Sequence, residues 1–204
     1  SSSSSSSSTT TEHVITPSNF WLHIRSGQHY NDVSRCLMDY VHTLYQSLFS
    51  LSSLHLPPPS KARVIAGGLD DSPHNVLVVI PGRGRVDAGI MARSLLMKEG
   101  IRAGSVMNVI SHARSSRWGV ILLNPNYNAS FDPSLARSNV RAQWRFAVDP
   151  IVNRVSGVRI HVLAHSAGGA QVVDCVNDTL ERSRDNKGEW LGRVAFTDST
   201  HSLR

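Results

Sequence analysis

The stretch Val158-Arg159-Ile160-His161-Val162-Leu163-Ala164-His165-Ser166-Ala167-Gly168-Gly169 decides the fold. Val158 to Ala164 is rich in apolar and β-branched residues and reads as a buried strand. Beyond Gly169, Val172, Val173, Val176 and Leu180 recur at helical spacing, so a helix follows at once. Ser166 sits at the turn between them. Two readings compete there. One is an ordinary strand-to-helix turn with Ser166 as an N-cap. The other is a strained turn that lifts the serine hydroxyl off the carboxyl ends of the strands. Such a turn needs small residues two before and two after the serine. Here they are Ala164 and Gly168, and the surrounding pattern favours the strained turn.

Working outward, apolar runs and helical patterns alternate. Val76 to Ile80 and Gly119 to Leu123 read as strands buried on both faces, and Arg193 to Thr197 as a further strand. Ala62 to Ala66 is expected to add a strand at the entry side. Helices are expected over Asp32 to Leu51, capped by Asn31 or Asp32, over Asp87 to Lys98, and over Val106 to Ala113. A long pattern through Val140, Trp144, Val148, Ile151 and Val155 should be kinked or divided by Pro150. The expected fold class is α/β: a three-layer sandwich with a mainly parallel sheet, α/β-hydrolase-like. Residues 1–11, a Ser/Thr run, are expected to be disordered, and residues 12–204 to form a single domain.

Composition narrows the function classes. No apolar run approaches the length of a membrane-spanning helix, and the Ser/Thr start lacks the pattern of a secretory signal. The sequence has two cysteines, Cys36 and Cys175, too few for a disulfide scaffold and wrongly spaced for zinc, so no metal or cofactor is expected. The formal charge of +6 is carried by arginines spread along the chain. That pattern makes direct nucleic-acid binding the weaker reading.

Two further segments bear on chemistry. Pro81-Gly82-Arg83-Gly84-Arg85 follows the strand at Val76 to Ile80. In a hydrolase the loop in that place supplies an oxyanion donor, so Gly82, Arg83 and Gly84 join the backbone N–H of Ala167 as oxyanion and substrate-binding residues. Arg83 and Arg85 also suit an anionic substrate group, with plain surface arginines as the competing reading. A dinucleotide fingerprint fails because position 87 is Asp87, and a phosphate P-loop fails because Ile90 and Met91 follow Gly89. Phe196-Thr197-Asp198-Ser199-Thr200-His201 ends the last strand. Asp198 suits the acid of a triad, or a helix cap. His201, three residues on, is the weaker assignment for the base, and His165 should point away across the turn.

Together these segments resemble the Argonaute-binding-protein-two (Arb2) domain family. The resemblance rests on Pro81-Gly82-Arg83-Gly84 with Ala88-Gly89, on Gly119 to Asn126 ending Asn-Pro-Asn, on Ala164 to Gly169, and on Ala195 to Ser199 with His201. His29-Tyr30 and Tyr40 match its amino-terminal part, and the likeness covers about residues 20 to 204. It implies an α/β-hydrolase-like fold, Ser166 as nucleophile and Asp198 as acid. It also implies association with silencing-complex proteins in RNA-linked heterochromatin silencing, or with cotranscriptional regulation. Some fungal members are fused to histone deacetylases. In the family the triad histidine lies in a continuation beyond these residues, so a C-terminally truncated form of the fold is expected, and Ala167 stands where an aromatic residue is usual.

Two functions follow as expectations. One is a serine hydrolase acting on an ester, thioester or amide of a small-molecule or acyl substrate. The other is a non-catalytic protein-interaction module. Either is expected inside the cell, in the nucleus or cytoplasm.

Overall fold

The computed structural model describes residues 24–56, 62–70, 72–129, 132–182 and 188–199. The Ser/Thr run and His201 lie outside the described residues. Six strands form one sheet: β1 (Ser52–His55), β2 (Arg63–Gly67), β3 (Asn75–Ile80), β4 (Gly119–Leu122), β5 (Arg159–His165) and β6 (Leu191–Thr197), in the order β1-β2-β4-β3-β5-β6. β4, β3, β5 and β6 pair in parallel, and β2 runs antiparallel to both its neighbours. The sheet is therefore mainly parallel and α/β-hydrolase-like, as its alternating pattern predicts. β3 and β4 lie at its centre and are almost wholly buried, which explains their continuous apolar sequences.

Among the described residues seven helices cover the two faces. α1 (Gly27–Phe49), α2 (Arg93–Lys98), α3 (Ile101–Gly104) and α4 (Met107–Ser115) are introduced in chain order, followed by α5 (Pro133–Ala147), α6 (Asp149–Arg154) and α7 (Gly168–Arg182). One core cluster joins the sheet to Val140, Trp144, Val172 and Cys175 of α5 and α7. A second joins it to Met38, Val41, Tyr45, Leu96 and Ile110 of α1, α2 and α4. These are the two outer layers of the sandwich. Pro150 divides the long helical pattern as expected: α5 ends at Ala147 and α6 starts at Asp149, with Val148 between them.

Several boundaries differ from the sequence reading. α1 begins at Gly27, capped by the Ser26 hydroxyl, which accepts the His29 N–H at 3.1 Å; Asn31 and Asp32 lie inside the helix. Ser26 precedes the apolar stripe by more than two turns, so periodicity places the start too late. The helix expected over Asp87 to Lys98 is only its last turn and a half, Arg93–Lys98. Residues 87–92 form turns, with Ile90 bridged to Ser105. The tertiary bonds Tyr45 Oη to the Gly89 carbonyl (2.8 Å) and Val106 N–H to the same carbonyl (3.0 Å) hold them there. β1 was not anticipated. Its four residues, Ser-Ser-Leu-His, carry little strand signal and are placed by pairing with β2.

Candidate functional site

Ser166 stands at the C-terminal end of β5, immediately before α7, with φ of 50°. A serine in that left-handed region is strained by about 1–3 kcal/mol and persists only where its surroundings hold it. Three bonds do so here. The Ser166 N–H donates to the Thr197 carbonyl of β6 (3.0 Å), and the Ser166 carbonyl accepts from the Gly169 N–H (3.2 Å) and the Ser199 hydroxyl (3.1 Å). The geometry is the strained turn. It is not a capping arrangement, because the Ser166 hydroxyl accepts no helix N–H among the described residues. Close packing explains the small residues after it. A Cβ on Gly168 would stand 2.6 Å from the Ile80 carbonyl oxygen.

Gly82 follows β3 and is buried against the turn. A Cβ there would meet the Ser166 Cβ at 2.9 Å and the Ser166 Oγ at 3.4 Å. Position 82 is thus restricted to glycine by the nearness of the serine itself. Among the described residues, the backbone N–H groups of Gly82, Arg83 and Ala167 donate to no protein acceptor. Ser166, Gly82 and Arg83 line a cleft of about 330 Å³. Gly84 also lines it.

The loop's shape depends on residues the sequence reading gave no role. Asn126, in the turn after β4, donates from Nδ2 to the carbonyls of Gly82 (3.0 Å) and Val86 (3.1 Å). Its Oδ1 accepts the Gly84 N–H at 2.9 Å. Asn124 supports Asn126 by accepting its N–H (3.1 Å) and donates to Asp87. Gln143 of α5, fully buried, holds the Asn124 backbone through both ends of its amide, at 2.6 and 2.8 Å. The Asn-Pro-Asn segment is therefore a clamp on the Gly82 loop. Its only sequence signal was a pair of amides directly after a buried strand.

Asp198 follows β6 with φ of 47°, one strand across from Ser166 because His165 pairs with Thr197. Its side chain is exposed and makes no hydrogen bond or ion pair among the described residues. His165 turns toward β6, where Nδ1 lies 2.9 Å from the Thr197 carbonyl. That bond makes Nδ1 the protonated nitrogen. The ring makes no bond to the Ser166 hydroxyl, as the sequence reading expected, although its edge lines the cleft. Among the described residues no cluster of His, Cys, Asp and Glu suits a metal, and no helix is long and apolar enough to cross a membrane.

Comparison with known proteins finds similarity over part of this site. The model of the Arb2 domain matches residues 68–147, which include β3, the Gly82 loop and the Asn124–Asn126 clamp, and stop before Ser166. That stretch of the chain is similar to the Arb2 domain. Relatives of the domain share its sequence over longer spans. A FAM172 family protein homolog of Caenorhabditis elegans is 34% identical over 130 residues, covering 61% of this chain and 38% of the relative. A cotranscriptional regulator ARB2A homolog of Dictyostelium discoideum is 26% identical over 167 residues, covering 65% and 42%. Human cotranscriptional regulator ARB2A is 28% identical over 113 residues, covering 52% and 27%. The chain thus spans less than half the length of these three relatives. Among solved structures, a histone deacetylase from Saccharomyces cerevisiae aligns with a TM-score of 0.48 at 12% identity, over 85% of this chain and 70% of that one.

Proposed function

We propose that this Arb2-like domain is a serine-hydrolase-like acyl site within an intracellular cotranscriptional regulator. The observation that carries the hydrolase reading is the φ of 50° at Ser166 beside Gly82. Strain of this kind is kept where the hydroxyl must be presented. In this reading the Ser166 oxygen attacks the carbonyl carbon of an ester, thioester or amide, and its proton passes to a base. The N–H groups of Ala167 and of the Gly82–Arg83 segment hold the oxyanion, which is where such donors contribute most. The leaving alcohol, thiol or amine departs with a proton, and water releases the acyl group. Asp198, one strand away, orients the base. The base is His201 or a histidine elsewhere in the whole protein.

A fluorophosphonate probe tests this. Labelling of the whole protein that vanishes with Ser166→Ala supports the nucleophile, and absence of labelling refutes it.

The relatives' names favour a second role, in cotranscriptional regulation; there, or in RNA-linked silencing, the domain serves as a protein-interaction surface. In that reading the fold presents a surface and the serine is dispensable. Partner capture unchanged by Ser166→Ala, with the fold intact, is the expected result, and loss of capture counts against it.

A further inference from the structure

The cleft over Ser166 is charged on one side only. Arg83, Arg85 and Arg93 line it, together with Tyr30, His165 and Ser166, and among the described residues no carboxylate does. Arg93 is held by two neighbours. It opens α2, reaches across to α1 and donates to the Asn31 Oδ1 at 2.9 Å. Its guanidinium carbon lies 4.7 Å from the centre of the Tyr30 ring. Both partners are neutral. They fix the guanidinium in place and leave its positive charge uncancelled. Among the described residues Arg93 and Arg83 make no ion pair. Two acids, Asp32 and Asp87, line the adjoining cleft that Arg93 also borders; Asp32 accepts from Gln28 at 2.8 Å, and Asp87 is occupied by Arg35 at 3.6 Å and by Asn124.

A fixed, unneutralised guanidinium beside a nucleophile is costly to keep unless something binds it. Coulomb repulsion among neighbouring arginines works against the arrangement, and an anion relieves it. We infer that the Ser166 cleft takes acyl compounds that carry a negative charge, and that Arg93 is the residue that selects them. Arg83, at the mouth, adds a second, weaker contact. The inference rests on the acyl-site reading for the position of the bound carbonyl, but the charge preference is measurable without turnover.

Binding is read in the Ser166→Ala variant of the whole protein, which cannot form an acyl-enzyme. The anionic probe is the 4-nitroanilide of glutaric acid, and its neutral match is the 4-nitroanilide of pentanoic acid. The anionic probe is expected to bind about tenfold more tightly, with the preference shrinking as salt rises. Arg93→Gln removes the preference, Arg93→Lys keeps part of it, and Arg83→Gln lowers it less. Circular dichroism checks that each variant is folded. Equal affinity for the two probes, no measurable binding of the anionic one, or a preference that survives Arg93→Gln overturns the inference. Fluorophosphonate labelling of the unmutated protein separates the two readings. Labelling without charge preference refutes this inference alone. Charge preference without labelling refutes the nucleophile alone.

Discussion

Gly82 and Ser166 lie so close that a methyl group on the first would stand 2.9 Å from the Cβ of the second. The two residues follow different strands, β3 and β5, which pair in parallel with Ile80 opposite Ala164. Sheet register therefore sets the distance between the serine hydroxyl and the glycine loop.

Gly82→Ala should move the turn or the loop, because neither neighbour is the far end of a flexible chain. Displacements of about 1 Å at a reacting centre cost on the order of 100-fold in rate. Fluorophosphonate labelling of Ser166 is expected to slow by that order, while the thermal midpoint falls only slightly. An unchanged labelling rate would show that the loop does not constrain the serine.

Asn126→Ala removes three hydrogen bonds to the loop, from the Gly82 and Val86 carbonyls and the Gly84 N–H. Part-buried backbone groups left without partners cost about 1–3 kcal/mol. Urea unfolding should register a loss in that range. Asn126→Asp should behave almost as badly, since a carboxylate accepts the Gly84 N–H but cannot donate to two carbonyls. Equal stability of both variants with the natural protein would contradict the clamp.

His161 makes stability depend on pH. Its ring stacks on Trp118 with centroids 4.5 Å apart, accepts the Arg193 N–H on Nδ1 at 3.1 Å and donates from Nε2 to Asn75 at 3.0 Å. Burial, then the charges of Arg193 and Arg159, hold its pKa below the usual histidine value. The unfolded chain takes up this proton first as pH falls. The contribution of His161 is therefore complete above the ordinary histidine pKa of about 6.5 and declines below it. Urea midpoints measured from pH 8 to pH 5 should drop across that window. In His161→Gln the drop should be smaller.

The two cysteines should differ in reactivity. Cys175 is 2% exposed in the core beneath α7, and burial, reinforced by Asp178 and Asp174, pushes its thiol up to about 12. Cys36 is exposed on α1. Under native conditions at pH 8, a thiol reagent is expected to modify Cys36 and spare Cys175, and to modify both in denaturant. Native modification of Cys175 at a comparable rate would mean that the α7 layer opens readily.

Much of this molecule is legible in one dimension. The apolar runs at 76–80, 119–123 and 158–164 become adjacent strands β3, β4 and β5, because a segment buried on both faces has few other ways to satisfy its backbone. The serine turn is equally local, since the small residues that permit it are its immediate neighbours. The failures are those of partnership. Residues 87–92 have a helical pattern, yet bonds from Tyr45 and Val106 fix them as turns.

The sequence by itself determined the layer order of this protein, its central strands and the strained turn at Ser166, because periodicity and side-chain size act over a few residues. Only the tertiary structure decided that Asn126 grips the Gly82 loop and that Arg93 and Ser166 line one cleft. Those contacts join residues 40 or more positions apart, and the packing of α1, α2 and β4 around one cleft creates them.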